Sequence, residues 1–369
     1  MKIAQVAPLF ESVPPRLYGG TERIVSYLTE ELVGRGHSVT LFASGDSRTR
    51  AALAPGCETA LRLSETTYDP VLQHLLMLEQ VRERAEEFDV IHFHIDLLQF
   101  PALRSLRRPA VTTLHSRLDL PGLFRFYQAF NEAHLVAISR AQRRSLPSEA
   151  HASMIYHALP SELLHLSAGR GGYLAFLGRI SPEKGPVDAI LIALAAGMPL
   201  KIAAKIDRAD RAYWNDVVKP LVDRSPGIAY VGEIAEHEKV EFLGNAAALL
   251  FPIDWPEPFG LVMIEAMACG TPIIAYPMGS VPEIVEEGRS GFIVGSREAA
   301  AAAVQKLSDI DRRAVRQCFD RRFTIGRMTS DYLKLYDRLL RSDCVNGHVY
   351  GPPLAVADHY RDMHSAHPV

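Results

Sequence analysis

Phe251-Pro-Ile-Asp-Trp-Pro-Glu257-Pro-Phe-Gly260-Leu-Val-Met-Ile-Glu265-Ala-Met-Ala-Cys-Gly270-Thr-Pro272 is the stretch on which the reading of this chain turns. The apolar run Ala247 to Phe251 has the length of a buried strand and ends in a proline-rich loop. Phe259-Gly260 closes that loop, and Leu261, Ile264 and Ala268 mark the apolar face of a helix. Gly270-Thr-Pro272 stops the helix and launches another buried strand, Ile273 to Tyr276. Glu257 stands before the helix and Glu265 eight residues later, inside it. A helix start with free N–H groups holds negative charge, while the carboxylates accept hydrogen bonds from hydroxyls. A polyhydroxylated anion is the ligand class that suits this combination.

Outward from this stretch the same alternation recurs. At 369 residues the chain is too long for one ordinary core and reads as two domains. In the first half, strands are expected at Ile3 to Ala7, Ser38 to Ala43, Asp89 to Ile95, Ala110 to His115, Leu135 to Ile138 and Met154 to His157. Helices are expected over Glu22 to Arg35 and over Val71 to Phe88, the latter with Leu72, Leu75, Leu76 and Val81 turned inward. Tyr18-Gly19-Gly20-Thr21 opens the first helix with a glycine pair that lets a phosphate approach the backbone. The full dinucleotide fingerprint is absent there, and a mere tight turn is the competing reading.

Leu159-Pro160 and Ser167-Ala-Gly-Arg-Gly-Gly172 read as the linker, so the first domain is placed at residues 1–160 and the second at 172–328. The second half restarts with the strand Tyr173 to Leu177, followed by Gly178-Arg179-Ile-Ser-Pro-Glu-Lys184-Gly185 and a helix from Val187 to Ala196. Further strands at Leu200 to Ala204 and Ile228 to Val231 lead to Gly232-Glu233-Ile234. A last helix, Thr329 to Arg341, has Tyr332, Leu335, Tyr336 and Leu339 as its apolar face and is expected to cross back onto the first domain. From Ser342 to residue 369 the periodicity ends and a loose tail is expected. The fold class is therefore α/β, with two Rossmann-like domains whose strand C-termini face each other across a cleft.

Composition narrows the function. Apolar residues make up 48% and charged residues 22%, the balance of a globular enzyme, and a formal charge of −3 excludes a nucleic-acid binder. Cys57, Cys269, Cys318 and Cys344 are widely spaced, which fits thiols in a reducing compartment better than disulfides or a zinc site. The apolar run at the N-terminus is too short for a signal peptide, and no run reaches the ~20 residues of a membrane span. A cytoplasmic enzyme is expected.

Taken together, these motifs resemble those of the family-4 retaining glycosyltransferases of the two-Rossmann GT-B type, over about residues 1 to 340. Gly178 to Gly185 is similar to the family's G-R-x-x-x-x-K-G loop, and Glu257 to Glu265 to its E-x7-E motif. Glu265 to Pro272, Gly279 to Gly288 and Gly291-Phe292 continue the likeness, while Gly19-Gly20-Thr21-Glu22-Arg23 and Leu114-His115 resemble the family's glycine loop and histidine. The resemblance implies that Arg179 and Lys184 bind the donor diphosphate, with Gly19 and Gly20 approaching it from across the cleft. It implies that Glu265 takes the ribose hydroxyls and Glu257 those of the donor sugar. Phe259, Gly260 and Leu261 would offer main-chain N–H groups, and Gly232, Glu233 and Ile234 would line the base pocket. His115 would sit by the sugar, and Tyr18, His92 and His94 on the acceptor side. The partners implied are a nucleotide sugar, with UDP-glucose or a similar UDP-sugar ahead of GDP-mannose, and a hydroxyl acceptor. The protein itself would be a monomer or homodimer. The implied reaction is a front-face attack that needs no protein nucleophile and no metal or other cofactor.

Competing readings are weaker. His92-Phe-His94-Ile-Asp96 has the alternation of a metal cluster, but no further ligand follows it, so histidines lining the acceptor side are preferred. The basic runs Leu103 to Arg108 and Arg140 to Arg144 suit an anionic membrane surface less well than solvated helix faces balanced by acids. A sugar-nucleotide epimerase or a non-catalytic nucleotide-sugar-binding protein would lack either the transferase motifs or their charged residues, and all of these are present.

Overall fold

Buried aliphatic runs form the strands of the computed structural model, which describes residues 1–64 and 69–346. The first sheet contains β1 (Lys2–Val6), β2 (Ser38–Ser44), β3 (Ala52–Cys57), β4 (Val90–Phe93), β5 (Ala110–Leu114), β6 (His134–Ala137) and β7 (Ala152–Met154). Its order is β3-β2-β1-β4-β5-β6-β7, parallel throughout. The second sheet contains β8 (Leu174–Arg179), β9 (Leu200–Lys205), β10 (Ile228–Gly232), β11 (Ala248–Phe251), β12 (Ile273–Ala275) and β13 (Gly291–Ile293). It too is parallel, in the order β10-β9-β8-β11-β12-β13. Parallel pairing requires a crossover after every strand, so central strands such as β4, β5 and β11 are buried on both faces. In each sheet the order reverses beside its first strand, between β1 and β4 and between β8 and β11. Such reversals open a crevice beyond the strand C-termini, where ligands of these sheets bind.

Two segments join the halves. Leu159 N donates to Phe323 O at 2.9 Å and Ile325 N to Leu159 O at 2.8 Å, so the outgoing and returning chains run side by side. The returning helix, Ile325–Asn346, packs on the first helix, Gly20–Gly34, and buries Tyr332, Leu335, Tyr336 and Leu339. One apolar cluster therefore runs from Ile3 and Val90 of the first sheet, through Tyr332 and Tyr336, to Leu249 and Ile273 of the second. No helix among the described residues is long and apolar enough to cross a membrane.

Several local expectations are corrected. β3 reads Ala-Leu-Ala-Pro-Gly-Cys, with a proline and a glycine and no β-branched residue; only its place at the sheet edge makes it a strand. The strand expected at Met154 to His157 lies earlier, at Ala152–Met154, and the helix expected to reach Phe88 ends at Glu83. That helix also faces the other way: His74, Met77, Leu78 and Val81 are inside, while Leu72, Leu75 and Leu76 are exposed. The leucine stripe is the stronger periodic signal, but Met77, Leu78 and Val81, the last as expected, pack into the first-domain core, and His74 is held beside them by its ring nitrogen's 3.0 Å contact with Leu9 N, so the leucines face outward. The final helix continues through Asn346, beyond the expected start of the tail, because Ser342-Asp-Cys-Val-Asn contains no helix breaker. Residues 347–369 of the expected tail lie outside the described residues.

The helix Arg312–Arg322 has no counterpart in the sequence reading, yet it fastens the second domain. The Arg312 guanidinium donates to the carbonyls of Ser167, Gly244, Ala246 and Cys269 and to Thr271 Oγ1, at 2.7 to 3.3 Å. These acceptors belong to the linker and to two helix ends, whose carbonyls lack partners within their own elements. Arg312→Met keeps the stem and removes the donors. It is expected to lower unfolding stability by on the order of 3 kcal/mol, read from the urea midpoint. A midpoint within experimental error of the wild type would show that water replaces the guanidinium there.

Candidate functional site

A cleft of about 710 Å³ opens between the two sheets at their strand C-termini. From the first domain Tyr18, Gly19, Gly20 and His115 line it. From the second, Arg179, Lys184, Glu233, Ile234, Glu257, Phe259, Gly260, Leu261 and Glu265 do. Three expected residues do not. Gly232 ends β10 just short of the cleft, at a register shift against β9, and serves to deliver Glu233 and Ile234. His92 and His94 are 0% and 1% exposed and lie behind His115, not on the acceptor side. Alternation does put both on one face of the strand, but that face meets the returning helix.

Glu257 and Glu265 are each met by a lysine. Lys184 Nζ lies 2.5 Å from Glu257 Oε2, which also accepts from Trp255 Nε1 at 2.9 Å. The same ammonium sits 4.4 Å from the centroid of the Trp255 ring, a cation–π contact that holds the lysine in place. Lys239 Nζ lies 2.6 Å from Glu265 Oε1, with both side chains buried. A carboxylate on a buried helix needs such a partner, since an isolated charge there would be very costly.

Backbone geometry sets these pairs. Gly185, at φ +71°, follows Lys184, and a Cβ there would stand 2.0 Å from the carbonyl oxygen of Pro252. The close approach lets the β8 loop lie against the β11 loop, bringing Lys184 to Glu257. Gly279, at φ +55°, packs on the main chain of Glu257, where a Cβ would come within 2.3 Å of its nitrogen. Ser280 N then donates to Glu257 O at 3.0 Å and Ser280 Oγ to Phe259 O at 2.8 Å, fixing the loop that precedes the helix Leu261–Ala268.

Arg179 is less free than the sequence suggests. It pairs with Glu183 on the next turn and lies 3.4 Å from Asp210 and 3.9 Å from Asp207. Lys205, its register partner on β9, pairs with Asp207 at 2.5 Å and also lines the cleft. An arriving anion competes with these acids for the two cations.

Sequence reasoning missed Lys239, Lys205, Trp255, Arg23, Glu22 and His157, all of which line the cleft. Trp255, Glu22 and Arg23 stood inside quoted motifs without being given a role; Lys239, Lys205 and His157 carry no local signal. Arg23 is buried and pairs with Glu236 of the second domain, which also accepts from Tyr27, so the first helix is tied across the cleft. His157 stacks on His115 at 5.0 Å between ring centroids, and its Nδ1 is buried with no hydrogen-bond partner. Burial drives the His115 imidazole down to about 3 and holds His92, His94 and His157 well below the ordinary histidine value, so all four are neutral. The metal reading of His92-x-His94-x-Asp96 fails on partners. His92 bonds to Tyr336 and Thr113, His94 to Gln5 and His115, and Asp96 to Ser116. The first basic run has acidic neighbours, Arg104 with Glu132 at 2.7 Å and Arg108 with Glu86 at 2.9 Å.

Comparison with known proteins finds family matches in both halves. The profile of Glycosyltransferase Family 4 matches residues 18–160, and that of Glycosyl transferases group 1 matches residues 223–317. The chain belongs to the family-4 glycosyltransferases. Like them it is a hexosyltransferase, built on the GT-B fold. It is 26% identical to a glycogen synthase of Mycobacterium tuberculosis, over 86% of this chain and 89% of the relative. It is 23% identical to a phosphatidyl-myo-inositol mannosyltransferase of Mycobacterium leprae, over 93% and 98%. Among solved structures it superposes on AviGT4, a glycosyltransferase involved in avilamycin A biosynthesis, with a TM-score of 0.71. That pair is 25% identical, covering 93% of this chain and 98% of AviGT4.

Glu22 supplies a pH test of the glycine loop. Burial raises its carboxyl from 4.5 to about 7, against a smaller opposing effect of its own backbone N–H. The folded enzyme thus holds this proton where the unfolded chain releases it, and stability falls as pH rises from about 4.5 to about 7. Glu22→Gln is expected to stabilise the protein by up to about 3 kcal/mol at about pH 8 and by little at about pH 5. Thermal unfolding of both proteins across this range checks it. Parallel pH profiles would assign the dependence to another group.

Proposed function

We propose that this glycosyltransferase moves a hexose from a nucleoside-diphosphate sugar to an acceptor hydroxyl with retention of the anomeric configuration. The observation that carries the reading is the Lys184–Glu257 contact of 2.5 Å on the floor of the interdomain cleft. It places the cation suited to a diphosphate beside the carboxylate suited to sugar hydroxyls, opposite Gly19 and Gly20. Lys184, Arg179 and the N-terminus of the helix Leu261–Ala268 would receive the diphosphate, with main-chain N–H groups of Phe259 to Leu261 against sugar and phosphate. Glu265, held by Lys239, would accept from the ribose, and Glu233 and Ile234 would border the base.

In this reading the bond from the anomeric carbon to the diphosphate oxygen loosens first, and the acceptor oxygen attacks from the same face. The acceptor's proton passes to the departing phosphate oxygen, so the leaving group is neutralised as it forms. Lys184 and Arg179 stabilise the charge that develops there, which is the work a metal ion would otherwise do. His115 and Tyr18 both line the cleft; in this reading His115 would stand by the sugar and Tyr18 on the acceptor side. A UDP-sugar is the first choice of donor, with GDP-mannose next. The named activities of the relatives, glycogen synthesis and mannosyl transfer, support the hexose class and favour neither sugar.

Lys184→Ala and Glu257→Ala are each expected to lose at least about a hundredfold in turnover, because removing a single preorganised charge from a transition state has that cost. Slow hydrolysis of UDP-glucose or GDP-mannose, assayed without acceptor, provides the readout. The donor is chosen beforehand by the thermal stabilisation each confers on the wild type. Near-normal hydrolysis by either variant, folded by circular dichroism, removes that residue from the site. A new sugar nucleotide among the products would indicate epimerisation instead of transfer.

A further inference from the structure

The polar residues behind His115 form an unbroken hydrogen-bond chain that ends on the returning helix. His115 Nε2 lies 3.0 Å from His94 Nδ1, and His94 Nε2 lies 2.7 Å from Gln5 Oε1. Gln5 Nε2 lies 3.3 Å from the Tyr336 hydroxyl, which in turn lies 2.6 Å from His92 Nδ1. His92 Nε2 continues to Thr113 Oγ1 at 2.7 Å, and Thr113 Oγ1 to the Tyr332 hydroxyl at 2.9 Å. Gln5, His92 and Thr113 sit on β1, β4 and β5, the middle of the first sheet, where apolar side chains are the ordinary choice. Apart from His115, every member is at most 1% exposed, and none of their polar atoms is left unpaired. A buried polar network of this size is tolerated only when fully satisfied, and it then holds its members in one arrangement.

Counting protons along the chain gives it a direction. All the imidazoles are neutral, so each has one donor nitrogen and one acceptor nitrogen. Gln5 turns its carbonyl oxygen to His94 and its amide nitrogen to Tyr336. His94 therefore donates from Nε2 and accepts at Nδ1, which requires His115 to donate from Nε2. The Tyr336 hydroxyl accepts from Gln5 and donates to His92 Nδ1, and His92 Nε2 donates to Thr113.

We propose that Gln5 and His94 are positioning residues for His115, holding it as the neutral Nε2–H tautomer, and that Tyr336 of the returning helix anchors them. The inference rests on the reading of His115 as a residue beside the donor sugar. Its Nδ1 is left as an acceptor for a sugar hydroxyl, while its Nε2 is committed to His94. Docking of the helix Ile325–Asn346 on the first sheet thereby becomes part of the site as well as of the core.

The test uses the full-length enzyme with ¹⁵N-labelled histidine. Nuclear magnetic resonance should show His115, assigned by its loss in His115→Ala, protonated at Nε2 and bare at Nδ1 at about pH 7. Kinetics are read from hydrolysis of the nucleotide sugar that stabilises the wild type. His94→Leu should lower kcat by at least about tenfold with KM, and the calorimetric Kd for the nucleoside diphosphate, unchanged. His94→Asn, whose side-chain oxygen can replace Nδ1, should recover most of the loss. Tyr336→Phe, which keeps the ring and loses the hydroxyl, should show a smaller fall in kcat and a mixture of His115 tautomers. A wild-type His115 protonated at Nδ1 overturns the proposal. So does His94→Leu within twofold of the wild type, or His94→Asn as slow as His94→Leu. Should His94→Leu fail to fold, the wild-type tautomer and Tyr336→Phe decide between the outcomes. Wild-type rates in His115→Ala would instead sink the role of His115 at the sugar, leaving the tautomer measurement as an independent result.

Discussion

A buried carboxylate cannot be left without a counter-charge, and the cleft is organised around that constraint. Glu257 and Glu265 are 8% and 4% exposed, and each is held by a lysine from a different element. Lys184 comes from the loop after β8 and Lys239 from the short helix after β10, so each pair closes a long-range connection. The close backbone contacts at Gly185 and Gly279 follow from the first pair, because no Cβ fits where these loops must meet. Polar recognition and loop packing are here the same requirement.

The remaining cations of the cleft are paired as well. Arg179 rests among Glu183, Asp207 and Asp210, and Lys205 on Asp207. A diphosphate would draw these cations away from their acids, exchanging one set of charge pairs for another instead of discharging an isolated group. Across the cleft, Arg23 and Tyr27 reach Glu236, and the main-chain N–H groups of Arg140 and Ala141 reach Glu283. These contacts between domains are polar, partly exposed and therefore individually weak. The apolar join is made by the returning helix and its tyrosines.

Legibility in the sequence divides along the range of the interactions. The E-x7-E stretch, the Gly178 to Gly185 loop and the strand runs around them could be read because strand, loop and helix signals act over a few residues. The inward face of the helix Pro70–Glu83 was not legible, since the stripe Leu72, Leu75, Leu76 outweighs His74 in a periodic reading, and only the packing of Met77 and Leu78 on the first-domain core and the contact of His74 with Leu9 show which face is inside. His92 and His94 were placed on one face correctly and on the wrong side of the site. What covers that face is Tyr332 and Tyr336, more than two hundred residues away.

By itself the sequence determined two α/β halves and the strand-to-helix loops that carry the charged residues. Those properties rest on local periodicity and on residue type. Tertiary structure decided which charge meets which: Lys239 with Glu265, Lys205 beside Arg179, Arg23 with Glu236, and the histidines with the tyrosines of the final helix. Pairing inside a protein depends on distance through space, and chain separation carries almost no information about it. The opening stretch therefore announced its two carboxylates, while the partners that make them usable could be named only once the fold had brought them together.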